Sequence, residues 1–357
     1  MKIRIFGESH APEIGVEIED VPKGTVIDGT ELQAFLDRRA PGNGQGGMST
    51  PRKEPDRVEF ESGIVRSSRS GKDSASPLSG EAESFPLLTD GNVIRAVIRN
   101  TNTRPQDYAN VQTVPRPGHA DYASWLQCGK IPTGGGKWSG RMTAPLCIAG
   151  GIALQMLKRR GVTIAAKVIR CGGMDCGGET PPPLDRIPAG DSVGGIVEVV
   201  ATGFPAGYGD VGTDGLESKL AAAFFGIPAV KGVEFGDGFK LADMLGSEAN
   251  DAFEVAGCEV AGPRGCGVRL RTNHCGGILG GVSVGMPIVA RLAFKPTPSI
   301  AIEQDSVDLA KMAPAKITVK GRHDRCVAFR GAVAAEAAMA LVLADELRGC
   351  EVAGLKE

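Results

Sequence analysis

Gly134-Gly135-Gly136-Lys137-Trp138-Ser139-Gly140-Arg141 runs directly into residues 142–160, and the reading of this stretch decides the rest. Three consecutive glycines let the backbone turn freely and bring its N–H groups close to a ligand. The residues that follow have helical spacing, with Leu146, Ala149, Ile152, Ala153, Met156 and Leu157 on one stripe. Lys158-Arg159-Arg160 before Gly161 closes the helix. Gly150-Gly151 in its middle is a weak point, or else the place where another helix comes close. The N-terminus of a helix carries unpaired N–H groups and a positive dipole end, so a Gly-rich run feeding it forms an anion seat. Lys137 and Arg141 add cations where the dipole disfavours them, which makes sense if an anion binds between them.

Composition limits what that anion belongs to. A chain of 357 residues, 42% hydrophobic and 23% charged, is globular with ample core. Its formal net charge of −2 opposes general affinity for nucleic acid or an anionic membrane, so basic patches must be local. Nine cysteines, an odd number scattered along the chain, do not read as a disulfide scaffold, and a reducing, cytoplasmic setting is expected. Cys171 and Cys176 lack the neighbours of a zinc site, and no metal is expected. No targeting segment is read, and the most apolar stretch, 276–290, is too short and Gly-rich to span a bilayer.

Outward from the centre, residues 2–6 read as a strand delivering Gly7-Glu8-Ser9-His10, and residues 30–39 as an amphipathic helix ending in Arg38-Arg39. Residues 58–66, 91–99, 162–170 and 194–202 read as strands, 215–225 and 331–347 as helices. Two segments match G-x-G-x-x-G, at 42–47 and 207–212. The first follows a helix where a dinucleotide fold needs a strand; the second is separated from its strand by Pro205, and Asp210 and Asp214 put negative charge where a pyrophosphate would sit. Lys295-Pro296-Thr297-Pro298-Ser299 offers a cation and two hydroxyls as a phosphate grip. No internal repeat or low-complexity linker divides the chain, so one domain over 1–357 is expected. The four histidines, His10, His119, His274 and His323, all fall in Gly- or Pro-rich loops. The prolines before His119 stiffen its approach, a costly way to present an idle residue.

Gly7-Glu8-Ser9-His10, Arg116-Pro117-Gly118-His119-Ala120-Asp121, Ser139-Gly140-Arg141-Met142-Thr143, the 273–281 run, Lys295-Pro296-Thr297 and Gly321-Arg322-His323-Asp324 resemble, in order, the signatures of the chorismate synthase family. The resemblance covers essentially the whole chain. It implies an α+β fold with central helices sandwiched between two antiparallel β-sheets, assembled as a homotetramer. It implies a phosphate lyase of aromatic amino acid biosynthesis: anti-1,4 elimination of phosphate from 5-enolpyruvylshikimate 3-phosphate to chorismate. Reduced FMN is needed without net redox change, and NADPH enters only through an external flavin reductase. By the same resemblance His119 protonates the leaving phosphate, His10 serves flavin N1 and Asp324 acts near N5. Arg39, Arg141, Gln45 and Arg325 are expected to bind substrate. Lys137, Trp138, Ser139, Ala229, Gly280, Lys295, Pro296, Thr297, Pro298, Ser299 and Arg322 are expected to hold the cofactor.

The chain departs from the family pattern in its binding loops. Ala11 replaces Gly, Asn102 and Pro105 stand where Asp and Ser are common, Lys137-Trp138 replaces Arg-Ser, and Pro228 replaces Asn. A second loop arginine is missing, its place taken by Gln45 or Gly47 depending on the direction of counting. Arg325 replaces a common Pro beside Asp324, and compensation for the missing arginine is one reading of it, a surface role the other. A non-catalytic flavin- or phosphate-binding relative is the alternative function, opposed by the retention of His10, His119 and Asp324.

Overall fold

The computed structural model describes residues 1–41, 47–50, 55–66, 86–101, 111–177, 186–255, 267–319 and 323–352. Among them the first seven strands are β1 (Lys2–Gly7), β2 (Glu13–Glu19), β3 (Val26–Ile27), β4 (Glu59–Ser62), β5 (Ile64–Arg66), β6 (Leu87–Thr89) and β7 (Ile94–Arg99), with α1 (Gly29–Arg39) after β3. Then come α2 (Asp121–Cys128), α3 (Thr143–Lys158), β8 (Thr163–Cys171), β9 (Met174–Asp175), β10 (Gly195–Thr202), α4 (Leu216–Phe225) and β11 (Val230–Phe235). The last part holds α5 (Gly246–Ala249), β12 (Phe253–Val255), β13 (Val268–Leu270), β14 (Ile278–Leu279), β15 (Val282–Ser283), β16 (Ile288–Phe294), β17 (Gln304–Asp308), β18 (Ala313–Ile317) and α6 (Ala328–Val352). The strands form two larger antiparallel sheets, ordered β1-β2-β7-β4 and β11-β16-β10-β8-β9, beside a three-stranded sheet and three hairpins. The architecture is α+β.

The quoted stretch does become the central helix. α3 is buried on nearly every side, from Ala144 to Leu157, which a helix achieves only when other elements cover it all round. Its two glycines explain how. A Cβ on Gly150 would lie 2.2 Å from the Cβ of Ala337 on α6, and one on Gly151 would lie 2.5 Å from Leu32 Cδ1 on α1. Each glycine therefore thins α3 so that one neighbouring helix can approach. The partner face of α6 is alanine-rich, with Ala334, Ala337, Ala338 and Ala340 buried. α3 also touches β2 and β7 of the first sheet, whereas α6 lies against β8 and β10 of the second. Asp28 caps α1, its carboxylate accepting from the N–H groups of Thr30 and Glu31 at 2.8 and 2.9 Å.

Three sequence expectations change. Residues 58–66 are not one strand: Gly63, at φ +81°, breaks them into β4 and β5, where a Cβ would lie 2.6 Å from Ile94 Cα. The last helix begins at Ala328 rather than 331, which puts Arg330 in its first turn. The 207–212 motif is no ligand cradle: a Cβ on Gly209 would lie 2.2 Å from the carbonyl oxygen of Gly281, and Leu216 N donates to that oxygen at 2.8 Å. These glycines let two loops lie on each other. Residues 42–46, with Gln45, fall outside the described residues, as does Arg322.

Candidate active site

The glycine run forms one wall of the site. Gly134, Gly135 and Gly136 have φ values of 64°, 88° and 52°, a succession that L side chains rarely adopt. A Cβ on Gly134 would come within 2.2 Å of His10 Nδ1, and one on Gly135 within 3.0 Å of His119 Cε1, so the loop lies against both histidines. His10 stands behind Gly134, its Nδ1 3.2 Å from Ser9 Oγ. Ser9 Oγ also donates to Gly134 O at 3.1 Å, which ties the first loop to the glycines. A short 3₁₀ turn, Gly140–Met142, separates the run from α3, with Ser139 Oγ accepting from Arg141 N at 3.3 Å. Lys137 Nζ lies 4.5 Å from the Trp138 ring centroid, a cation–π contact.

His119 heads a second cluster. Its Nδ1 lies 2.6 Å from Oδ1 of Asp121, the first residue of α2. Asp121 is held in turn by Arg116, through Nε at 2.7 Å and the backbone N at 3.0 Å on Oδ2, and through Nη2 at 2.8 Å on Oδ1. Arg116 Nη1 donates to Ser299 Oγ at 2.9 Å. Arg116 and Asp121 are almost fully buried. Burial raises the proton affinity of Asp121, but the hydrogen bonds from Arg116 and His119 outweigh it and hold the carboxyl well below its usual range. Burial pushes His119 down, only partly opposed by Asp121, so the imidazole is neutral near pH 7. Lys295 donates to Gly118 O beside this loop.

A third cluster supports Arg141. Arg39 is fully buried at the end of α1, with Nε 3.2 Å and Nη2 3.0 Å from Asp56 Oδ2 and Nη1 donating to Thr143 Oγ1 at 3.2 Å. Arg141 Nη1 pairs with the other Asp56 oxygen, and Arg141 Nε donates to Asn100 Oδ1 at 3.2 Å. Burial would raise Asp56, but Arg39 and Arg141 together bring it below its usual value. Burial also pulls Arg39 down to about 10, against the attraction of Asp56. Close by, Asp324 Oδ1 accepts from Thr50 N at 2.8 Å, and Asp324 Oδ2 lies 3.1 Å from Arg330 Nη1. Arg330 Nε donates to Arg39 O at 3.0 Å, joining the two clusters.

These clusters surround one cavity of about 490 Å³. Of the residues singled out from sequence, His119, Asp324, Arg141, Lys137, Trp138, Ser139, Ala229, Lys295, Thr297, Pro298 and Ser299 line it. His10, Arg39, Arg325, Gly280 and Pro296 do not. His10 is screened by Gly134 and Arg39 is spent on Asp56. Arg325 is half-buried, its backbone N donating to Met48 O at 2.8 Å. The guanidinium beside Asp324 in the wall is that of Arg330 instead. Arg330 carried no signal because the helix start was placed at 331, three residues after Ala328, and Arg116 because it counted only as part of the approach to His119. Thr50 and the apolar wall of Phe225, Ile227, Val230 and Val327 gave no signal. Ala229 lines the cavity at φ +74°, a strained value for alanine, and its carbonyl accepts from Lys295 N at 3.0 Å.

The model of the chorismate synthase family matches residues 1–347. The chain belongs to the chorismate synthase family. Its relatives include proteins named chorismate synthase from Lancefieldella parvula, 41% identical over 97% of this chain and 94% of theirs, and from Rhodospirillum rubrum, 40% identical over 96% and 93%. One from Methanothermobacter thermautotrophicus is 38% identical over 97% and 92%. A crystal structure of chorismate synthase superposes with a TM-score of 0.67 at 23% identity, covering 99% of this chain and 92% of that one, which shows the shared fold. The chorismate synthase family is one of carbon–oxygen lyases, and the chain is an enzyme of that class.

Proposed function

We propose that the cavity eliminates phosphate from 5-enolpyruvylshikimate 3-phosphate to give chorismate, with reduced FMN bound beside the substrate. The observation that carries this reading is the convergence of Arg116, Arg141, Arg330, Lys137 and Lys295 on one cavity that also holds His119 and Asp324. A chain with a net charge of −2 has no general excess of cations, so this concentration suits a ligand with a phosphate and two carboxylates.

The residues fit a flavin. Thr297 Oγ1 is buried in the lining with no hydrogen-bond partner among the described residues, Lys137 and Lys295 supply charge for a phosphate, and Phe225, Ile227, Val230 and Val327 offer an apolar wall for a ring. Lys137, Trp138, Ser139, Ala229, Lys295, Thr297, Pro298 and Ser299 would hold it, and Gly280, Pro296 and Arg322 remain proposed contacts outside the described wall. When bound, reduced FMN supplies the electron-rich ring that this elimination needs without net oxidation. His119 gives a proton to the departing phosphate: a dianion beside the neutral imidazole raises its proton affinity, so the acid forms when substrate arrives. Arg141 and Arg330 orient the anionic groups, with Arg39 and Asp56 holding Arg141 in place. Asp324 and His10 keep their proposed places near the ring, His10 one layer back behind Gly134; Gln45, outside the described residues, remains a proposed substrate contact, whereas the role expected of Arg325 passes to Arg330 in the cavity wall.

We further propose that the two larger sheets enclose α3 and α6 as a sandwich in one domain, because α3 touches the first sheet and α6 the second. A homotetramer is supported by exposed apolar side chains between residues 239 and 255, Phe239, Leu245, Phe253 and Val255. A cytoplasmic setting is supported by the six free thiols among the described residues. No described helix is long and apolar enough to cross a membrane.

Two measurements test the site. Calorimetry with FMN and substrate together is expected to show saturable binding; no binding in either redox state overturns the assignment. His119→Ala is expected to lower kcat about 10²–10⁴-fold with little change in KM. An unchanged kcat with a raised KM makes His119 a binding residue only.

A further inference from the structure

The mechanism uses His119 but gives no task to Asp121, the carboxylate buried behind it. Four donors saturate it. Oδ2 accepts from Arg116 Nε at 2.7 Å and Arg116 N at 3.0 Å, and Oδ1 accepts from Arg116 Nη2 at 2.8 Å and lies 2.6 Å from His119 Nδ1. Its side chain is 0% exposed, against 14% for His119. Arg116 is pinned at its far end by Ser299 Oγ at 2.9 Å, so the carboxylate has no freedom to turn away.

A carboxylate only accepts, so the imidazole nitrogen facing it must carry a hydrogen. In the neutral ring that leaves Nε2 bare, on the side where Gly135 packs: a Cβ there would lie 3.1 Å from Nε2. Without Asp121 nothing holds the proton on Nδ1. Arg116 Nη2, a donor only, lies 3.1 Å from Nδ1 and 3.3 Å from Nε2 and so favours a lone pair on either nitrogen, leaving the tautomer open. We propose that Asp121 is a positioning residue for His119: clamped by Arg116, it fixes the proton on Nδ1 and reserves Nε2 as the nitrogen that takes up and delivers the proton.

This rests on the reading of His119 as proton donor to the leaving phosphate. The charged groups acting on the ring are Asp121 from α2, Arg116 from its own loop and Lys295 after β16. Arg141, Lys137, Asp324 and Arg330 stand in the other cavity walls. Asp121 is the carboxylate in contact with the ring, so its removal leaves a surplus of cations around it. The imidazolium form is then less stable, and the acid is lost at lower pH.

The direct test is nitrogen-15 solid-state NMR of the full-length protein labelled at histidine, where protonated and bare ring nitrogens resonate far apart. Four histidines keep the spectrum simple, and His119→Asn identifies the signal. At pH 8 without ligand, the proposal expects protonated Nδ1 and bare Nε2 at His119; a bare Nδ1 in the unmodified protein overturns it, whatever the kinetics show. Asp121→Asn is expected to lower kcat on the order of 10²-fold or more with KM within about threefold, and to move the alkaline limb of the pH–kcat profile to lower pH. Asp121→Glu, which keeps a charged group that only accepts, is expected to recover part of kcat. Equal losses in both variants with an unmoved limb reduce Asp121 to a structural residue and overturn the proposal. A normal kcat in His119→Ala would instead sink the reading of His119 itself, and the tautomer measurement separates the two failures.

Discussion

Replacing Asp56 by alanine tests the support beneath Arg141. Asp56 and Arg39 are both fully buried, 3.0 Å apart at their nearest atoms, and Arg141 takes the other carboxylate oxygen. Removing one partner of a buried ion pair leaves an uncompensated charge and costs about 3–5 kcal/mol. At about 2.1 cal/mol/K per residue, a chain of 357 residues has an unfolding entropy near 0.75 kcal/mol/K, so Tm is expected to fall by about 4–7 °C at pH 7. The pH dependence has a definite sign. The folded carboxyl lies below its ordinary value, so its contribution is complete above the unfolded value near 3.9 and is lost as pH falls through the folded one. The Tm gap between parent and Asp56→Ala is therefore expected to be constant from about pH 5 to 8 and to close below about pH 4. Replacing both partners, Arg39→Met with Asp56→Leu, removes the buried Arg39 charge but takes the Asp56 carboxylate from Arg141, which keeps Asn100, and is expected to regain part of the loss. Scanning calorimetry of the three proteins across pH decides the matter. A Tm drop of less than about 1 °C in Asp56→Ala, or a gap that persists unchanged at pH 3, would show that the pair does not carry the stability assigned to it.

Gly150→Ala is expected to cost at least about 1–3 kcal/mol, because its Cβ would sit 2.2 Å from that of Ala337; an unchanged Tm would mean that α3 and α6 are not in such close contact. Arg330→Ala is expected to raise substrate KM about ten- to a hundredfold, the range for a lost charged hydrogen bond, whereas Arg325→Ala, off the cavity wall, leaves KM within about twofold. The reverse ranking would restore Arg325 as the compensating cation. NADPH with FMN and no added reductase is expected to give no anaerobic turnover, since the 207–212 loop lies against Gly281; turnover above the no-enzyme rate refutes that.

Strong local periodicity made α1, α3, β8 and β10 legible in the sequence, and the glycine pair in α3 was readable as a helix contact. β2 was not read, because Gly15 interrupts its alternation; the glycine is there to admit the Phe6 ring, which a Cβ would approach to 2.4 Å. α2 has eight residues and no side-chain cap, so neither its period nor its start announces it. The glycine loop, His119 and the Lys295–Ser299 segment were marked by local chemistry and do meet at the cavity. Asp56 and Arg330 were invisible for a physical reason: their roles depend on partners 17 and 6 residues away, at Arg39 and Asp324, which the fold brings together and no spacing rule encodes.

The chemistry proposed for this cavity is the conversion of 5-enolpyruvylshikimate 3-phosphate into chorismate. The most direct measurement is anaerobic incubation of the purified protein with that substrate and chemically reduced FMN, following chorismate and inorganic phosphate together. Stoichiometric release of both, abolished by oxidised FMN and lowered at least about 10²-fold in His119→Ala, is the expected result. Saturable binding of flavin and substrate without either product would contradict the account and leave a binding protein on the chorismate synthase fold.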